Sequence, residues 1–95
     1  MAVVDVTTFR LTGDERSFRA ADARMQTEFS YLQSGCFRRT TARGDDGEWV
    51  VITLWATADD AEAAIAAAGS HPVATAFEAC IDSKSLRSRR YNLLE

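Results

Sequence analysis

Two periods of apolar and polar residues run along the chain. Val3 to Arg10 is short, rich in Val, Thr and Phe, and ends at Thr12-Gly13-Asp14-Glu15, which predicts a strand followed by a helix start. Thr12 and Glu15 stand at the offset of a capping box. From Asp14 to about Ser34 the apolar residues Phe18, Ala21, Met25, Phe29 and Leu32 recur in steps of three and four. Glu15, Arg16, Arg19, Asp22 and Gln26 take the opposite side, so the stretch predicts one amphipathic helix with Gly35 as its stop.

Beyond Gly35 the period changes to two. Cys36 to Arg43 and Glu48 to Trp55 are β-prone runs around Gly44-Asp45-Asp46-Gly47, a loop whose residues tolerate positive φ, and together they predict an antiparallel hairpin. In the second run Val50, Ile52 and Leu54 share one face, while Trp49, Val51 and Trp55 share the other. Both faces are apolar, so both need cover. Thr57 with Asp60 then opens an Ala-rich helix from Ala58 to Ala68, which Gly69 interrupts. Ser70-His71-Pro72 restarts the chain, Pro72 suits a first helical turn, and Val73, Ala76, Phe77, Cys80 and Ile81 continue an apolar helical face. Ser83 to Leu94, with Leu86, Tyr91 and Leu93, predicts a last strand.

The order strand, helix, strand, strand, helix, strand is the split βαβ pattern of the ferredoxin-like α+β fold, as one domain over residues 1–95. Right-handed crossovers put both helices on one face of a four-stranded antiparallel sheet. The other face stays open. A chain of 95 residues has only a small core, so a homodimer formed by sheet-to-sheet packing is expected to cover the apolar second face of the Glu48 to Trp55 strand.

Composition narrows the function classes. With 46% hydrophobic and 26% charged residues and a net charge of −3, the chain is an ordinary globular one, and neither nucleic acid nor an anionic membrane is an expected partner. Met1-Ala2-Val3-Val4-Asp5 opens with no basic region or long apolar run, so neither export nor a membrane span is expected and a cytoplasmic location is. Cys36 and Cys80 have no metal-ligand spacing, so no metal is expected and both are read as reduced thiols. Arginines cluster in the two runs that form the sheet edges, at Arg38, Arg39 and Arg43 and at Arg87, Arg89 and Arg90. Such charges oppose uncontrolled strand pairing, turn inward to hold an anionic or enolate group, or pair with a partner's carboxylates. Arg38 and Arg89 are assigned to ligand binding, together with the phenols Tyr31 and Tyr91. His71 is the one imidazole in the chain and is read either as a plain helix N-terminal residue or as a base or donor at a cavity mouth. Asp5 shares a strand face with Val3, Thr7 and Phe9, so if buried it needs one of the edge arginines.

Leu32-Gln33-Ser34-Gly35-Cys36-Phe37, then Asp45-Asp46-Gly47-Glu48-Trp49-Val50-Val51-Ile52-Thr53-Leu54-Trp55, then Ala56-Thr57-Ala58-Asp59-Asp60-Ala61-Glu62-Ala63 entering a helix, resembles the antibiotic biosynthesis monooxygenase family of dimeric α+β barrels. The resemblance covers nearly the whole chain. It implies a cavity between sheet and helices in which some members oxygenate polyphenolic or quinone-forming aromatics with molecular oxygen and no metal, flavin or haem. Trp55 matches the family's cavity tryptophan by position, and it is assigned a catalytic role along with His71, which is singled out by its own side-chain chemistry. Polyketide-oxidising members carry an Asn four residues before that Trp and a Tyr six after it, where this chain has Val51 and Ala61. The haem-degrading branch needs a helical His, a helical Trp and a first-strand Asn, and this chain has none of them at those places. Three readings follow: a cofactor-free monooxygenase of anthrone or quinol type substrates, a non-catalytic dimeric module that binds a small aromatic ligand, or a polyketide cyclase or isomerase on the same scaffold.

Overall fold

The structure, a computed structural model, describes residues 1–94. Strands β1 (Val3–Phe9), β2 (Cys36–Arg43), β3 (Trp49–Trp55) and β4 (Arg87–Asn92) form one antiparallel sheet in the order β2-β3-β1-β4. Helices α1 (Glu15–Glu28), α2 (Ala58–Ala68) and α3 (Pro72–Glu78) supply Phe18, Ala61, Ala64 and Phe77 to clusters that also hold Phe9, Trp49, Val51, Val3 and Trp55. All of the strand residues in these clusters lie on one face of the sheet. The expected α+β arrangement with helices on a single face is therefore what the chain adopts.

Register follows from the hairpin. Its loop pairs Arg43 with Trp49, so Thr41 lies opposite Val51 and Arg39 opposite Thr53. On the other side of β3, Phe9, Thr7, Asp5 and Val3 lie opposite Trp49, Val51, Thr53 and Trp55. The burial of Trp49, Val51, Thr53 and Trp55 against half-buried Val50 and Leu54 and exposed Ile52 confirms the two-faced reading of this strand. At Gly35, φ is +78°, a conformation strained for L side chains, and a Cβ there would run into the Asp60 side chain, so glycine suits the start of β2 against the N-terminus of α2.

Three local expectations need correction. The first helix ends at Glu28 rather than near Ser34, because Phe29 leaves the helical region at φ −130° and a short 3-10 turn, Ser30–Leu32, follows. Leu32 consequently is exposed and does not join the helical apolar face. Its cap is also different: Asp14, not Thr12, accepts the Ser17 N–H at 2.6 Å, while the Thr12 hydroxyl donates to the Ala79 carbonyl. Asp14 lies directly before the first helical residue, and Thr12 is two positions too far away. By contrast, Thr57 caps α2 as expected, bonding both the N–H and the carboxylate of Asp60.

Candidate functional site

A cavity of about 390 Å³ lies between the helix-facing side of the sheet and the helices. Its floor comes from β1 and β3, through Asp5, Thr7, Val51, Thr53 and Trp55, and its roof includes Ala64 and Ala68 of α2. The roof is hollow because α2 presents alanines there, whose methyl groups cannot span the gap to the sheet. Exposed Ile65, Leu86 and Glu78 line the opening side. The volume falls within the range of small-molecule sites.

The charged groups around the cavity are mostly engaged. Asp5 receives a two-pronged contact from Arg90 on β4, at 2.7 and 3.1 Å, and the same guanidinium reaches Glu62 of α2 at 2.7 Å. The hydrogen bonds that Arg90 donates to Asp5 and then to Glu62 raise its pKa above the ordinary value. This tie fastens the β4 edge to both β1 and α2. On the β2 side, Arg39 is 4% exposed and pairs with Asp22 of α1 at 2.8 Å, its guanidinium 5.2 Å from the centre of the Phe77 ring. Thr7 and Ser88 bond each other at 2.7 Å. The Glu78 carboxylate, in contrast, makes no hydrogen bond or ion pair among the described residues. Cys36 packs against the Val3–Trp55 cluster, and burial pushes its thiol pKa up.

Of the side chains singled out from sequence, Trp55 lines the cavity and is 6% exposed. His71 does not line it. The imidazole caps α3, with Nδ1 accepting the Val73 N–H at 3.2 Å, and its ring meets Phe29 edge-on at 5.0 Å. Tyr31 lies outside the cavity at the β2 edge, where its hydroxyl donates to the Arg39 carbonyl and accepts the Arg39 N–H, both at 3.2 Å. That contact fixes the backbone of Arg39 and occupies edge groups that a strand would otherwise pair with. Arg38, Arg89 and Tyr91 lie on the open face: Arg38 opposite Leu54, Arg89 opposite Val6 and Tyr91 opposite Val4. Arg89 stacks over Tyr91 at 5.1 Å. The arginine that turns into the cavity is Arg39, while Arg90 reaches its lining through Asp5. A bulge between Cys36 and Arg38 shifts the alternation by one, so Arg38 faces away although it is two residues from inward-facing Cys36.

Comparison with known proteins adds to this geometry. No protein-family model and no curated protein matches the chain. Among solved structures it is similar to SnoaB, a cofactor-independent oxygenase from Streptomyces nogalater, at 27% identity and a TM-score of 0.84, over 99% of this chain and 94% of that one. A candidate antibiotic biosynthesis monooxygenase from Bordetella bronchiseptica shares the fold at a TM-score of 0.81 and 14% identity, over 99% of this chain and 98% of that one. Another from Caulobacter crescentus does so at 0.79 and 14%, over 99% and 91%. In fold the chain belongs with the antibiotic biosynthesis monooxygenases.

Within the antibiotic biosynthesis monooxygenase fold this chain has its own lining. Val51 stands on the cavity floor, and Ala61 is fully buried against Val3 and Trp55. Three lining residues, Arg39, Thr53 and Ser30, were not assigned to the site from sequence. Arg39 could have been found by counting back from the hairpin loop, and Thr53 by noting that it is the single polar residue on the Trp49–Trp55 face of β3. Ser30 carried no such signal, because its burial depends on where α1 stops.

Proposed function

We propose that this chain is a cofactor-independent oxygenase of small aromatic or polyketide-like molecules, of the anthrone or quinol type, acting in the cavity between sheet and helices. The observation that carries the reading is a Trp-walled hollow of about 390 Å³ on a fold shared with a cofactor-independent oxygenase at 27% identity. In such a reaction an anthrone gives up two hydrogens and takes one oxygen atom, and the second oxygen leaves as water. The substrate supplies the electrons, so no external reductant enters. The protein's tasks are to hold the ring, stabilise its anion and limit water. Trp55 serves the first two, as a flat wall with one N–H donor. Glu78, at the opening and unpaired among the described residues, is the carboxylate placed to accept the proton.

Oxygen uptake with a panel of anthrones and hydroquinones in metal-free buffer tests this reading. Expected is uptake matched to product, reduced about tenfold in Trp55→Phe, which keeps the wall and loses the donor. A panel with no uptake above the buffer rate overturns it.

The functional unit in this proposal is a homodimer. Val4, Val6, Val50, Leu54 and Ile52 form an apolar stripe on the helix-free face, between Arg38 on one edge and Arg89 on the other. A second copy of the same sheet offers the matching apolar surface. Light scattering on a sizing column is expected to give twice the chain mass, and a monomer at micromolar concentration overturns the dimer.

A further inference from the structure

We propose that Thr53 and Ser30, together with the indole N–H of Trp55, form a polar recess that receives an oxygen-bearing edge of the ligand and so sets which way round it enters. This rests on the reading of the cavity as a ligand site. Thr53 is 9% exposed, Ser30 5% and Trp55 6%. All three line the cavity, and none of their side-chain polar atoms has a hydrogen-bond partner among the described residues. Yet no sealed side-chain nitrogen or oxygen lacks a partner among those residues. These three atoms are therefore not sealed, and the cavity is the space that all three residues line.

Other polar groups around the cavity contrast with them. Thr7 bonds Ser88, Asp5 bonds Arg90 and Arg39 bonds Asp22, so each is already satisfied. Glu78 and Ser83 are exposed at the opening. Buried polar groups are rarely left without partners, because desolvation without a hydrogen bond is costly. Two hydroxyls and an indole N–H carry no charge, the Asp5–Arg90 and Arg39–Asp22 charges are neutralised in pairs, and the unpaired Glu78 carboxylate is exposed at the opening. The recess accordingly suits a neutral carbonyl or phenol oxygen, with the hydrocarbon part of the ligand running past Ala64 and Ala68 toward Ile65 and Leu86. On β3 this polar contribution comes from position 53, since position 51 is valine.

The test uses the whole chain and two three-ring probes of similar outline, 1,8-dihydroxyanthraquinone and anthracene, with binding read by quenching of tryptophan fluorescence. Wild type is expected to bind the oxygenated probe about tenfold more tightly, the worth of roughly one to two hydrogen bonds. Thr53→Val and Ser30→Ala each reduce that ratio, and the double variant reduces it furthest, leaving only what the Trp55 N–H supplies. Thr53→Val is nearly isosteric and leaves Tm unchanged or raises it, because the hydroxyl has no structural partner. A wild type that binds neither probe or shows no preference overturns the recess. So does a double variant that keeps the full wild-type preference, or a fall in Tm of more than about 4 °C in Thr53→Val. Oxygen uptake with the anthrone panel bears on the reaction alone, so bound probe without turnover leaves the recess standing and removes only the oxygenase reading.

Discussion

At one end of the helix-covered sheet face, Phe9 and Trp49 of paired strands meet Phe18 of α1 and Phe77 of α3, with ring centres 4.8 to 6.1 Å apart. At the other end Val3 and Trp55, paired across the same two strands, meet Ala61 and Ala64 of α2. The strands are equally apolar at both ends. What differs is the volume the helices bring, which makes one end solid and leaves a hollow beside the other. Arg39 stands at the border, lining the cavity while lying over the Phe77 ring.

The largest effect should come from hollowing the solid end. Phe18→Ala removes a fully buried ring that touches three others, and is expected to cost about 3–5 kcal/mol in urea unfolding at pH 7. A loss below about 1 kcal/mol would mean that the cluster relaxes and the two ends are less distinct than their packing implies.

Next comes the border. Asp22→Ala leaves the Arg39 guanidinium buried without its carboxylate and is expected to cost about 3 kcal/mol, whereas Asp22→Ala combined with Arg39→Met removes both charges and is expected to cost about 1 kcal/mol or less. Equal losses in the two variants, measured in the same unfolding series, would contradict this asymmetry.

Filling the hollow end is a smaller change in stability and a larger one in binding. Ala64→Leu directs its added carbons toward cavity space, so stability should move by no more than about 1 kcal/mol while binding of 1,8-dihydroxyanthraquinone is lost. Retained binding would place the ligand elsewhere.

The smallest expected effect separates the ends by pH. Backbone N–H bonds hold Asp14 and Asp46, both at the aromatic end, below their ordinary carboxylate pKa. Their folded pKa values are lowered, so their contribution is present above about pH 4 and is lost as pH falls through the folded values. Cys36, at the other end, is shifted upward, so the protein is favoured below about pH 9 and loses stability as pH rises above it. Urea midpoints at acid, neutral and alkaline pH should show a shallower acid limb in Asp14→Asn and a shallower alkaline limb in Cys36→Ala. Unchanged limbs would remove the pH distinction between the ends.

Much of this arrangement was readable along the chain. Alternation on β3 separated Trp49, Val51 and Trp55 from Val50, Ile52 and Leu54 before any packing was known, and the Thr57–Asp60 cap marked the start of α2. Asp5 was expected to need an edge arginine, and Arg90 provides it. The candidate site was less readable. His71 spends its free nitrogen on capping α3, and Arg38, Arg89 and Tyr91 lie on the opposite face of the sheet from Trp55.

By itself the sequence determined the order of elements, the hairpin and the apolar character of both faces of β3, because periodicity, turn residues and caps act between residues close in the chain. Tertiary structure decided which arginine faces inward, since the phase of β2 depends on a bulge set by its pairing with β3. It also decided that the alanines of α2 leave a cavity instead of a tight seam, and that Ser30 and Thr53 meet the same space. Those outcomes depend on the volumes and polar groups that distant segments bring together, and no local pattern carries them.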